Sequence, residues 1–126
     1  MKVKDLMEVD FVRITRDTSI KDTIEKMYEK RDDYAIITSE EKQCEGIVTD
    51  RDIYRAIVKG VPFNLNINKL MTRNTISIDK EGSFSKARVL MIRYRIRHLP
   101  VTDRKGCVIG VLSLKKLLDE IIGLTK

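Results

Sequence analysis

The sequence predicts an α/β (α+β) protein of two tandem β-α-β-β-α repeats packed as a pseudo-two-fold pair. Three observations carry this: a gapless internal repeat, a switch between strand-like and helix-like periodicity within each copy, and matching glycine and hydroxyl punctuation. Sliding the chain by 64 positions aligns residues 3–58 with 67–122. Leu6 and Met7 then fall on Leu70 and Met71, Ser19 on Ser83, Met27 on Met91, Arg31 on Arg95, Thr38 on Thr102 and Gly46 on Gly110. Identical pairs are few, but apolar positions agree along the whole register, the signature of a repeated supersecondary unit. The expected divisions are a first repeat at 1–60, a linker at 61–66 holding Pro62 and Asn64, and a second repeat at 67–126.

Each element follows from its pattern. Val12 and Ile14, and Ile76 and Ile78, alternate as short strands. Ser19 and Ser83 are expected N-caps, followed by Ile20, Ile24, Met27 and Tyr28 in one copy and Phe84, Ala87, Met91 and Tyr94 in the other, at helical spacing. Two hairpin-like strands come next, at 34–38 and 46–49, then 98–102 and 110–113, with polar turns between them. Pro100 inside a strand implies an edge position or an irregular start. A last helix in each copy carries Ile53, Ala56 and Ile57, or Leu114, Leu117, Leu118, Ile121 and Ile122, with Gly60 and Gly123 just past its end. A unit this small buries only about 60% of its chain surface, so the copies are expected to pair into one core.

The 126 residues and 35% charged content fit a small globular protein. No apolar run reaches the roughly 20 residues of a membrane span, and Met1 to Asp5 lack a secretory apolar core. The expectation is a soluble cytoplasmic protein without a membrane. Cys44, Cys107 and His98 are the only N/S ligands, too few for a structural zinc site. The carboxylate pairs Asp32-Asp33 and Asp50-x-Asp52 have nothing else that assembles a reaction centre around them, so no enzyme is expected. Charge is uneven. Residues 1–63 hold 12 basic and 14 acidic side chains and residues 64–126 hold 13 and 5, which points to an anionic partner for the second half.

The duplicated unit, with Gly46-Ile47-Val48-Thr49-Asp50-Arg51-Asp52 crossing from strand to helix and His98-Leu99-Pro100-Val101 and Gly110-Val111-Leu112-Ser113 in the second copy, resembles a cystathionine-β-synthase (CBS) domain. Two in tandem resemble a Bateman module, here expected to be free-standing because the resemblance spans nearly the whole chain. The resemblance implies a regulatory module that binds AMP, ADP, ATP or S-adenosylmethionine as a regulatory ligand, requires no cofactor, forms a homodimer and signals to a regulated protein that the sequence does not name.

The family signature Gly-h-h-Thr/Ser-x-x-Asp (h apolar) has a physical reading. Thr49 sits where a strand becomes a helix, so its hydroxyl and the free N–H groups of the first turn face a phosphate. Asp52, one turn on, suits the paired hydroxyls of a ribose. The same Thr-x-x-Asp spacing is a capping box, and the two roles compete for Asp52. Ile47, Tyr34, Ala35 and Ile36 are expected to line the base pocket or to be plain core, with Ile76 or Ile96 closing it from the other copy, and Asp50 and Arg51 lie within the motif itself. The second copy departs from the pattern: Ser113 is followed by Lys116 where the carboxylate belongs, so it can hold phosphate as a point charge but cannot accept from ribose. Arg97 and His98, with Leu99 and Pro100 at the same strand start, favour phosphate there, where Asp32 and Asp33 oppose it in the first copy. His98 either packs as a strand residue or contacts phosphate, titrating near about pH 6.5 in that role.

The alternative function is a basic nucleic-acid-binding protein using the second repeat. Lys86, Arg93 and Arg97 form one expected helical stripe and Arg88 and Arg95 another, beside Tyr94.

Overall fold

The computed structural model describes residues 1–73 and 76–123. Ten elements follow in the order β1 (Arg13–Ile14), α1 (Ile20–Lys30), β2 (Tyr34–Thr38), β3 (Cys44–Thr49), α2 (Asp50–Lys59), β4 (Ile78–Asp79), α3 (Phe84–Tyr94), β5 (His98–Thr102), β6 (Val108–Ser113) and α4 (Leu114–Ile121). Two three-stranded sheets result, ordered β1-β2-β3 and β4-β5-β6, each with one parallel and one antiparallel pairing. The β-α-β-β-α reading therefore holds in both copies. Among the described residues no helix is long and apolar enough to cross a membrane.

The chain divides into two compact units, and these do not follow the sequence repeats. One unit takes Met1–Asp10 together with the chain from Ile76 on; the other begins at Phe11 and holds the chain between. The start of each repeat thus packs with the body of the other. Val3 and Leu6 are buried in a core with Ile78, Ala87, Met91, Leu99, Val101, Leu112 and Leu117. Ile67 is fully buried in a core with Val12, Ile14, Ile20, Met27, Ala35, Ile37, Val48 and Ile53.

The two exchanged segments dock alike. Each makes one turn of 3-10 helix, at Val3–Asp5 and Ile67–Lys69. The Val3 N–H donates to the Gly82 carbonyl at 2.9 Å, as the Ile67 N–H donates to that of Thr18 at 2.7 Å. Each segment then adds one antiparallel bridge to the outer edge of a sheet, Glu8 on Val111 of β6 and Thr72 on Ile47 of β3. Gly46 and Gly110 make room for this. A Cβ on Gly46 would lie 2.9 Å from both the Met71 sulfur and the Thr72 carbonyl oxygen, and one on Gly110 would lie 2.5 Å from the Met7 sulfur. A bulge precedes each glycine, where Thr38 pairs with Cys44 and Thr102 with Val108. The amino-terminal segment is also held by charge. Lys2 and Lys4 both pair with Glu81, the latter at 2.9 Å, and hydrogen bonds from Lys2 and then Lys4 lower the Glu81 pKa to about 2.

Caps explain where the helices begin and end. The Ser19 and Ser83 hydroxyls accept from the N–H of Asp22 and Lys86, both at 3.0 Å. Helix α2 ends at Gly60 with φ 70°. Helices α1 and α3 end at equivalent arginines, Arg31 and Arg95, both in the left-handed region.

Two expectations are corrected and one is met. Helix α3 stops at Tyr94, so Arg95 and Arg97 do not extend helical stripes; Arg95 turns to φ 52° and Arg97 precedes β5. Pro100 meets its expectation of an irregular start: β5 pairs with β6 from His98 but with β4 only from Val101. The proline is tolerated there because no neighbour needs its missing N–H; the equivalent Ile36 N–H donates to the Val12 carbonyl. The apolar helix positions are not all core. Ile53, Ala56 and Leu117 are buried, but Tyr28, Ile57, Leu118, Ile121 and Ile122 are exposed, because each helix lays only one stripe on its sheet.

Candidate functional site

The motif residues gather at two equivalent strand-to-helix junctions, β3–α2 and β6–α4. At the first, Tyr34 pairs with Thr49 and Ile36 with Ile47 across β2 and β3. Side chains alternate along a strand, so these four share one face of the sheet, while Ala35, Ile37 and Val48 point into the helix-covered core. Ala35 therefore stands apart from the group it was expected to join. The Asp50 N–H donates to the Asp33 carbonyl at 2.9 Å and fastens the helix start to the strand start.

Thr49 is the N-cap of α2, with extended backbone. Asp52 is 7% exposed, and its two oxygens are differently engaged. Oδ2 accepts from the Thr49 N–H at 2.9 Å, with the Thr49 hydroxyl at 3.4 Å, while Oδ1 pairs with Arg55 Nη1 at 3.2 Å. The capping half of the competition for Asp52 is thus met through one oxygen. Arg51 is exposed, and Asp50 is half-buried on the rim of a shallow cleft of about 280 Å³ between α1 and α2. Ile24, Met27, Ile53, Tyr28 and Tyr54 form its walls, and Asp32 and Asp33 complete its acidic rim.

The second junction repeats the backbone with different chemistry. His98 pairs with Ser113 and Pro100 with Val111 on one face, while Leu99 and Leu112 point into the core. The Leu114 N–H donates to the Arg97 carbonyl at 2.7 Å, matching the Asp50–Asp33 bond. The Ser113 hydroxyl accepts from the Lys116 N–H at 3.1 Å, so serine alone caps α4. Helix α2 carries Asp50 and Asp52 in its first turn, whereas α4 has no acid there and carries Lys115 and Lys116. Both helix ends offer N–H groups, but only the second is free of first-turn carboxylates that repel an anion.

His98 is buried, Lys116 half-buried and Arg97 exposed. Ile76 and Ile96 are half-buried against the core of the unit that holds β4, β5 and β6. Sequence reasoning missed Val111, the equivalent of Ile47, and the exchanged residues Met71 and Thr72 beside the first junction and Met7 and Glu8 beside the second. The signal for them was the glycine of each motif, read as punctuation although it marks a close approach of backbone.

Comparison with known proteins agrees with this architecture. The chain is 34% identical over 122 residues to a CBS domain-containing protein of Arabidopsis thaliana, covering 95% of this chain and 23% of that protein. It is 29% identical over 120 residues to a homoserine O-acetyltransferase of Methanococcus vannielii, covering 94% and 24%. The chain thus spans about a quarter of the length of these two relatives. Among solved structures, the CBS domain pair of protein MJ0100 in complex with 5′-methylthioadenosine and S-adenosyl-L-methionine superposes with a TM-score of 0.87 at 23% identity, covering 100% of this chain and 98% of that one. A CBS domain protein from Pyrobaculum aerophilum complexed with AMP gives 0.87 at 21% identity, covering 98% and 99%. The CBS domain model itself matches residues 3–59 and again 67–123, and the chain belongs to the CBS domain family as a tandem pair.

Proposed function

We propose that the chain is a regulatory module that binds an adenosine-containing ligand (AMP, ADP, ATP or S-adenosylmethionine) at the β3–α2 junction and passes the binding event to a partner protein, working as a homodimer. The observation that carries this is the division of labour within the Asp52 carboxylate. Oδ2 is committed to the Thr49 N–H and keeps the helix start in place. Among the described residues Oδ1 is held by Arg55 alone, whose side chain is 60% exposed. The Arg55 end of this pair is open to solvent, so it can be exchanged, and a pair of ribose hydroxyls competes for that oxygen. Tyr34, Ile36 and Ile47 supply an apolar face for the base beside it. The complexes with AMP and with S-adenosyl-L-methionine formed by CBS pairs of the same fold support the ligand class. The β6–α4 junction, with Ser113, Lys116, His98 and Arg97, is suited to phosphate rather than ribose.

Calorimetry against AMP, ATP and S-adenosylmethionine tests the reading, with two variants that separate cap from ligand. Asp52→Asn keeps an acceptor for the Thr49 N–H but presents an amide donor in place of one oxygen. It is expected to keep the thermal midpoint and lose at least tenfold in affinity, about 1.4 kcal/mol. Asp52→Ala loses affinity equally and also about 1 kcal/mol of stability with its cap. Unchanged affinity in Asp52→Asn assigns Asp52 to the cap alone.

A further inference from the structure

An ion pair covers the oxygen at which a ribose would bind. Asp52 Oδ1 meets Arg55 Nη1 at 3.2 Å, and the two side chains differ in exposure, 9% for the acid and 60% for the guanidinium. The acceptor is therefore buried while its cover lies in solvent. The contact is long for a charge-assisted hydrogen bond, which is typically about 2.7–2.9 Å. The Thr49 N–H fixes Oδ2 and limits how far the carboxylate can turn toward its partner.

Helix α2 gives Arg55 no other acid. Residues three and four positions apart are neighbours on a helix, and for Arg55 these are Arg51, Asp52, Val58 and Lys59. Arg51 and Lys59 are exposed and repel the guanidinium, so the pair with Asp52 is the arrangement that the helix favours. The second repeat reverses the order. Asp52 corresponds to Lys116 and Arg55 to Asp119, and there Asp119 bonds Lys115 at 2.9 Å. Among the described residues that bridge leaves Lys116 without one. Of the two junctions, the first has its acceptor covered and the second has its cation left open.

We propose that Arg55 is a gate on ligand binding: it occupies Asp52 Oδ1 in the empty site, and a ribose gains that oxygen as the guanidinium leaves. The proposal rests on the ribose reading of Asp52 above and adds the regulation of that site. Arg55 then sets the affinity without touching the ligand. Once displaced, its guanidinium stands between Arg51 and Lys59 with no acid at helical spacing. Whatever screens or captures it from outside therefore promotes binding, and by reciprocity a bound ligand raises the affinity of α2 for an acidic group.

Calorimetry with adenosine tests the gate, because adenosine carries the ribose hydroxyls but no phosphate that would add its own salt response. Raising sodium chloride from about 0.1 M to about 1 M shortens the Debye length from about 10 Å to 3 Å. The unaltered protein is expected to gain about threefold in affinity over that range, the scale of one hydrogen bond. Arg55→Met, which keeps an unbranched stem but no charge, is expected to bind about threefold more tightly at the lower salt and to lose the salt response. Arg55→Lys, which keeps a cation, is expected to restore that response. Weaker binding by Arg55→Met would make the guanidinium a ligand contact and overturn the gate. Affinity and salt response equal to those of the unaltered protein would overturn it too, and a loss of affinity in Asp52→Asn in the same series would leave the ribose reading standing. Adenosine binding that ignores Asp52→Asn, or that is absent throughout, removes the ribose reading and the gate together.

Discussion

Gly46 and Asp52 lie six positions apart in one strand-to-helix crossing and do unrelated jobs. Asp52 sets the helix start and pairs its second oxygen with Arg55; Gly46 admits the exchanged segment. Gly46→Ala drives a methyl group against the Thr72 carbonyl oxygen, which is backbone and already bonded to the sheet. Overpacking of this kind costs about 1–3 kcal/mol. Gly110→Ala first meets the Met7 sulfur, the end of a flexible side chain, with the Glu8 carbonyl oxygen farther off at 3.1 Å. The expected order in urea denaturation is therefore a larger loss of midpoint for Gly46→Ala than for Gly110→Ala; equal losses would show that the thioether cannot move aside. At this scale the sequence disclosed Thr49 and Asp52 because cap and ligand share one local pattern. It also contained the information to separate Ala35 from Tyr34 and Ile36, since strand alternation alone puts them on opposite faces. It could not show why the glycine is there, because the atoms it admits belong to the other repeat.

At the scale of elements, the strands and helices were legible because hydrophobic period, serine caps and polar turns agree in both copies. The misread points share one cause: each depended on a neighbour. The outer residues of α2 and α4 look like core in a periodicity count, yet only one stripe of each helix meets a sheet. The amino-terminal segment offers a further expectation. Its carboxylate partner, Glu81, has a pKa lowered from 4.5 to about 2, so its contribution is present above about pH 4.5 and is lost as the pH falls toward 2. Glu81 is exposed, so salt weakens the effect. Lys2, Lys4 and Glu81 correspond to Asn66, Asn68 and Asp17 in the other copy, which lack that charge pattern. Hydrogen exchange between pH 5 and 2 at low salt should show the Glu8 amide, bonded to the Val111 carbonyl at 2.8 Å, losing protection before the equivalent Thr72 amide. Glu81→Gln should remove the difference, and simultaneous loss in both segments would reject it.

For the whole molecule, the internal repeat disclosed the architecture, yet its boundaries are not those of the compact units. Periodicity reports which residues are alike, and burial decides which residues stay together. A fragment of residues 1–60 keeps the first repeat intact but removes Ile67, Leu70 and Met71 from the core that Val12, Ile20 and Val48 build, and it leaves Val3 and Leu6 without theirs. A fragment of residues 11–75 keeps that core whole. Circular dichroism with thermal melting should find a cooperative transition in the second fragment and a broad or absent one in the first. The reverse would mean that the exchanged segments contribute little to either core.

The exchange also imposes an order on folding during synthesis. The core around Ile20 and Val48 cannot close until Ile67 has left the ribosome, and Val3 and Leu6, made earlier, have no seat until Leu112 and Leu117 follow. At synthesis rates of about 5–20 residues per second, this segment waits on the order of ten seconds before its core is complete. The segment is seated only once Glu81, which pairs with Lys2 and Lys4, and the second sheet have been made.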